Sequence, residues 1–244
     1  MNFKRPIYLL IVLSLGLAAF SQKFSDQVPQ LKRYTPQQVT DPDYGIIIFN
    51  RMAPSIGGDS LRYTKDGYNA QGWQEDYYTS GKLLHKGFYQ DGYIKIFKNF
   101  FENGQVERTL SITDAKRVKM EIFYEDGKVR STINFYDGNT QNQYDFFKNG
   151  SPEYVEENDK DIEFLYKRYS YFENGLPASL FDLIDKKAKK YMMKEYYENG
   201  RVKEEGTMFF RKDLGDYIKE GVWTYYDEKG NTTKTEKYHS GQLE

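Results

Sequence analysis

The sequence predicts an all-β protein, an elongated single-layer antiparallel meander of repeated β-hairpins. Three observations lead there. A motif of two aromatics, two polar residues and a glycine recurs along most of the chain, each glycine completes a pair suited to a tight turn, and the composition is rich in aromatics and poor in leucine.

The motif reads Tyr77-Tyr78-Thr79-Ser80-Gly81, Phe100-Phe101-Glu102-Asn103-Gly104, Phe123-Tyr124-Glu125-Asp126-Gly127, Phe146-Phe147-Lys148-Asn149-Gly150, Tyr171-Phe172-Glu173-Asn174-Gly175 and Tyr196-Tyr197-Glu198-Asn199-Gly200. Its glycines are 23, 23, 23, 25 and 25 residues apart. A looser copy, Tyr225 to Gly230, reads as the same motif with one residue inserted. A period of this size is the mark of a stacked array made from one supersecondary unit. The spacing implies seven to eight hairpin units.

Each motif glycine follows Asn, Asp or Ser, the choice a type I′ hairpin turn needs because both central residues take positive φ. Further pairs of this kind stand at Asp66-Gly67, Asp91-Gly92, Asp137-Gly138 and Ser240-Gly241. Turns this dense leave room only for short strands. Beyond residue 21 there are 39 aromatics against 11 Leu. Aromatics suit a half-buried pleated surface, and few leucines leave little material for amphipathic helices.

Taken in order, the chain opens with Lys4 and Arg5, an uncharged run from Ile7 to Phe20, and Ala19-Phe20-Ser21. That order predicts a signal peptide over residues 1–21, since a run of 14 residues is shorter than the roughly 20 a spanning helix needs. The expected location is periplasmic or extracellular. No cysteine occurs, so the protein is expected not to be a lipoprotein and holds no disulfide. Residues 22–61 read as a flexible leader with a short capping strand at Ile46-Ile47-Ile48-Phe49, and residues 62–244 as the array.

Within the array, Arg108 to Gly127 and Ser179 to Gly200 align as strand, polar turn and strand, with Met120 and Met193 each seven residues before the glycine. A helix is the competing reading for Ser179 to Tyr197, because Lys, Ala and Met favour one, but the alignment with the earlier unit outweighs it. Loss of Lys4 and Arg5 with the first 21 residues takes the formal net charge from −1 to −3. Such a surface argues against a nucleic-acid partner, which would select a basic face.

The elements Gly72-Trp73, Tyr196 to Gly206 and Gly221-Val222-Trp223-Thr224-Tyr225-Tyr226 resemble the MORN repeat in its variant form. The resemblance runs from about Arg62 to Glu244. Pro152 and Pro177 depart from it by replacing the small apolar residue after the turn, and the second glycine is mostly lost in the middle units. Proteins with this variant include exported ones from Bacteroidetes and are often classed with the YwqK-type antitoxin component of toxin–antitoxin systems. The resemblance implies a scaffold for protein contacts, with a toxin as one candidate partner, and brings no catalytic residues and no cofactor. A cell-envelope module that binds glycan or lipid is the alternative.

No catalytic constellation and no metal set is expected from the residues. His85 and His239 are more than 150 residues apart in a quasi-linear array and read as ordinary surface residues. The acidic stretch Glu156 to Glu163 lacks the glycine and the distant Glu of a calcium loop, and reads as a solvated hairpin tip. The turn Lys186-Lys187-Ala188-Lys189-Lys190 suits an anionic membrane or glycan, or solubility alone.

Neighbouring side chains on a strand point to opposite faces, so the paired aromatics give each face a ladder of rings. The candidate binding residues are therefore Tyr77, Tyr78, Phe100, Phe101, Phe146, Phe147, Tyr171, Phe172, Tyr196 and Tyr197. The sequence leaves open which ladder is core and which is surface, and whether the rings serve packing alone.

Overall fold

A computed structural model describes residues 61–244 apart from residues 65 and 115. The expected signal peptide, the leader and its strand Ile46 to Phe49 lie outside the described residues. The strands are β1 (Gly72–Tyr77), β2 (Leu83–Gln90), β3 (Tyr93–Phe100), β4 (Val106–Ile112), β5 (Arg117–Phe123), β6 (Val129–Tyr136), β7 (Asn139–Phe146) and β8 (Pro152–Asn158). They continue as β9 (Leu165–Tyr171), β10 (Pro177–Asp185), β11 (Lys190–Tyr196), β12 (Val202–Arg211), β13 (Asp216–Tyr226), β14 (Thr232–His239) and β15 (Gln242–Leu243). All 15 form one open sheet in strict sequence order, each antiparallel to the next. Ser179 to Tyr197 is the β10–β11 hairpin, as its alignment requires. Pro152 and Pro177 each open a strand, where a missing N–H is tolerated.

The motif turns line one side of the meander, and on the other side two-residue turns after β2, β6 and β14 mix with longer connections after β4, β8, β10 and β12. At Asp91-Gly92, Asp137-Gly138 and Ser240-Gly241 both residues have φ between 51° and 84°, the two-residue turn expected. The motif turns differ from expectation. There only the glycine has positive φ, 80–90°, and its N–H donates to the carbonyl of the second aromatic, as in Gly104 to Phe101 at 2.9 Å. The Phe101 N–H donates to the Gln105 carbonyl at 2.8 Å. This is a three-residue loop, a type I turn closed by a left-handed glycine, and three residues are what the motif supplies between its paired positions.

A second regularity follows every motif turn. The register slips at the third residue after the glycine, leaving Leu84, Glu107, Arg130, Glu153, Ala178, Lys203 and Thr233 unpaired across the hairpin. Such bulges sharpen the local twist. Repeated in each unit, they coil the sheet. Phe181 on β10 and Tyr217 on β13 have ring centroids 4.9 Å apart, although three strand spacings in a flat sheet span about 14 Å.

The final turn is Asp227-Glu228-Lys229-Gly230, with Asp227 N–H donating to Asn231 and Gly230 N–H to Asp227. Tyr226 therefore holds the first aromatic place and Asp227 the second. The apparent insertion is a substitution.

Register places the core on one face. Two groups hold most of its apolar residues, Tyr89, Ile94, Phe97, Leu110, Val118 and Met120 on β2–β5 and Leu165, Phe181 and Tyr191 on β9–β11, while Tyr78, Leu84 and Trp223 are buried outside them. Between them β7, Asn-Thr-Gln-Asn-Gln-Tyr-Asp-Phe, has no aliphatic residue, and polar side chains take over the core face. At the first hairpin, Arg62 to Ala70 folds across. Arg62 N–H donates to Gly92, Gly92 N–H to Ala70 and Ala70 N–H to Arg62, at 2.8–3.0 Å. The buried Arg62 guanidinium forms a bidentate pair with the buried Asp76 carboxylate, both contacts 2.9 Å.

Candidate interaction surface

Alternation from the registered pairs Asp76–His85 and Asn99–Arg108 assigns the paired aromatics to their faces. Second-position rings, Tyr78, Phe101, Phe147, Phe172 and Tyr197, share the core face. First-position rings, Tyr77, Phe100, Phe146, Tyr171 and Tyr196, lie on the outer face. Tyr78 is buried at 3% exposure and Tyr77 is open at 37%, while the other eight are half-buried. Both ladders thus take part in packing, and only the first unit separates them fully.

Where the second ring is Tyr, it also ties units together. Tyr78, Tyr124 and Tyr197 donate their hydroxyls to the carbonyls of Phe100, Phe146 and Tyr226, the first-position residues of later motifs, at 2.7–2.8 Å. Burial pushes the Tyr78 hydroxyl up to about 12, so it stays a donor at every physiological pH. The turn asparagines do the same along the edge. Asn149, Asn174 and Asn199 accept from the N–H two residues on and donate from Nδ2 to the Glu173, Glu198 and Glu228 carbonyls, at 3.0–3.1 Å. At Asp126, which has no such donor, Lys128 Nζ reaches the Lys148 carbonyl instead.

The most open apolar area is one that the ladder reading missed. Trp73, Phe88 and Ile96 are cross-strand partners on the outer face of β1–β3, all exposed, with Trp73 at 55%. The Trp73 and Phe88 rings meet edge to face at 5.6 Å. Tyr77 lies on the same face two pleats from Glu75, its hydroxyl donating to that carboxylate, and Lys86 pairs with Glu75 at 2.9 Å. Period-2 counting back from Tyr77 through Glu75 to Trp73 is the signal that finds this patch in the sequence.

The remaining candidates divide. His85 is not a surface residue: it is 2% exposed on β2, because Asp76 and Asn99 flank it across the core face. Its Nδ1 donates to Asn99 Oδ1 at 2.6 Å, and its Nε2 accepts from the Tyr89 hydroxyl at 3.0 Å. His239 is exposed, beside Glu220. Of the acidic stretch, Glu156 to Asn158 belongs to β8, and only Asp159 to Glu163 forms the tip. In the basic turn, Lys186 and Lys189 lie over the Phe164 ring at 4.6 and 4.9 Å, so part of its charge is engaged with the protein's own aromatics. Among the described residues no cluster of His, Asp and Glu could hold a metal ion.

No curated protein compared with the chain matches it. Residues 71–91, 118–136 and 192–208 match the family described as MORN repeat variant. Each matched segment contains one motif turn and strand residues on both sides of it, in β1–β2, β5–β6 and β11–β12. These matches support the MORN-repeat family for this chain: three of its hairpins carry the signature of the variant repeat, and the units between them repeat the same turn and bulge.

Proposed function

We propose that the chain is a non-enzymatic scaffold for protein–protein interaction, and that its docking surface is the outer face of β1–β3. The observation that carries this reading is the exposed cross-strand row Trp73, Phe88 and Ile96, with Tyr77 on the same face beyond the Glu75–Lys86 pair. Exposed apolar patches of this kind mark interaction sites, and aromatic anchors supply most of the energy of such contacts. MORN-type repeats serve generally as interaction modules, and the resemblance to YwqK-type proteins makes a toxin the first partner to test.

The direct test replaces Trp73 and Phe88 together with Ser. Both are open to solvent, so the melting temperature should hold, while retention of the native partner in a pull-down from the envelope fraction should fall at least tenfold. Unchanged retention would remove this face from the proposal. For the antitoxin role, co-expression with a neighbouring toxin should restore growth with the wild-type chain and not with the double variant.

A further inference from the structure

The coiling of the sheet creates a feature that the repeat pattern does not contain. On the core face, between the β6–β7 and β8–β9 tips and the β12–β13 hairpin, lies a cavity of about 450 Å³. This is within the usual range for ligand sites, about 300–1,000 Å³. Its lining joins aromatic rings from β11–β13, Tyr191, Phe210 and Tyr217, to polar groups from β8 and β9, Glu156, Asn158 and Arg168.

The rings are held rigidly. Phe181 and Tyr191 stack at 4.8 Å, Tyr217 meets both edge-on at 4.9 Å, and Phe210 tilts against Tyr217 at 5.2 Å. The polar side is equally constrained. Glu156 accepts from the Tyr154 hydroxyl at 2.5 Å, from Asn158 Nδ2 at 2.7 Å and from Arg168 Nε at 2.9 Å. Burial alone would raise the Glu156 carboxyl, but these three donors outweigh it and hold it below the usual range. Arg168 keeps 47% of its side chain exposed.

We propose that this cavity binds a neutral saccharide. A pyranose offers an apolar C–H face to an aromatic ring and hydroxyls that both donate and accept. The site offers the partly exposed rings of Phe210 and Tyr217, a carboxylate that only accepts, a guanidinium that only donates, and the Asn158 amide oxygen as a further acceptor, its Nδ2 already donating to Glu156 and to the Thr140 carbonyl. The Glu156–Arg168 pair cancels its own charge, and the exposed Glu163 at the rim adds a carboxylate that disfavours anions further. An anion would meet Glu156, and a cation would meet Arg168, so a polyhydroxylated uncharged ligand is the best complement. The site uses other residues and the other face than the protein-docking patch, and the two proposals stand or fall separately.

The test is an amide-resolved NMR titration of the full chain with glucose, galactose, N-acetylglucosamine and diacetylchitobiose at millimolar concentration. At least one sugar should produce saturable shifts at Asn158, Arg168 and Tyr217. Glu156→Gln and Arg168→Gln should each weaken binding at least tenfold, Tyr217→Phe should keep it, and Trp73→Ser should leave it unchanged. The proposal is overturned if no sugar shifts these amides, if shifts appear only elsewhere, or if both Gln variants fold and bind as the wild type does. Inorganic phosphate or a lysine peptide binding at these amides, with no sugar binding, would overturn it equally.

Discussion

Gly206 on β12 lies beneath the Trp223 ring of β13, so closely that a Cβ at position 206 would sit 2.3 Å from the indole. The ring is 1% exposed, donates its Nε1–H to the Thr207 carbonyl at 3.1 Å, and carries the Lys219 ammonium 3.8 Å above its centre. Gly206→Ala should therefore destabilise by at least about 1–3 kcal/mol, the cost of overpacking. Urea unfolding of Gly206→Ala, Trp223→Ala and the double variant checks this. The two losses should add to more than the double variant shows, because the clash disappears with the ring.

The turn asparagines predict a different asymmetry. Asn174→Asp keeps the acceptor for the Leu176 N–H but loses the donor to the Glu198 carbonyl, and turns a carboxylate oxygen toward it. A loss of about 0.5–1.5 kcal/mol is expected in urea unfolding. Asp126→Asn should cost nothing, since Lys128 already reaches the next turn. Equal effects at the two sites would show that the asparagine ladder contributes nothing.

Turn class decides the response to glycine. Asp137 holds φ of 51°, so Asp137→Gly relieves a left-handed side chain and should be neutral or stabilising. At Asp126, with no positive φ, glycine adds unfolded-state freedom and removes the acceptor for the Lys128 N–H, and should destabilise by about 1 kcal/mol. Gly127→Val, at φ of 85°, should cost more than either. Melting temperatures in that order support the assignment, and the reverse order refutes it.

His85 sets a pH dependence. Burial, the largest effect, holds it below its ordinary value near 6.5, against smaller opposing effects of Asn99 and Asp76, while Arg62 acts with burial. Its charged form is disfavoured in the fold, so the unfolded chain binds more protons below pH 6.5. Stability should be full above that pH and should fall as pH drops through 6.5 toward the lower folded value. Urea midpoints at pH 7.5 and 5.0 should differ for the wild type and much less for His85→Gln.

Two apolar groups separated by the polar β7 and β8 predict two cooperative units. Hydrogen exchange should be slowest in β3–β5 and in β10–β12, with β7 and β8 exchanging earlier. Uniform protection across the sheet would contradict this division.

Much of the array was legible in the sequence. Local chemistry determined the hairpin count, the sequential strand order and the single sheet, because a glycine turn every 23 to 25 residues and the short strands between depend only on neighbours in the chain. It also placed the paired rings on opposite faces, since alternation is a property of any strand. Tertiary structure alone decided which face is core, because period 2 distinguishes the faces without naming the buried one. It decided that the motif asparagines serve as bridges between turns, not as left-handed residues, that His85 is buried among Asp76, Tyr89 and Asn99, and that Glu156 and Arg168 meet Tyr217 in one cavity. Those relations join residues several strands apart, and they arise because a bulge in every unit adds twist until a sheet that is simple in sequence order coils onto its own face.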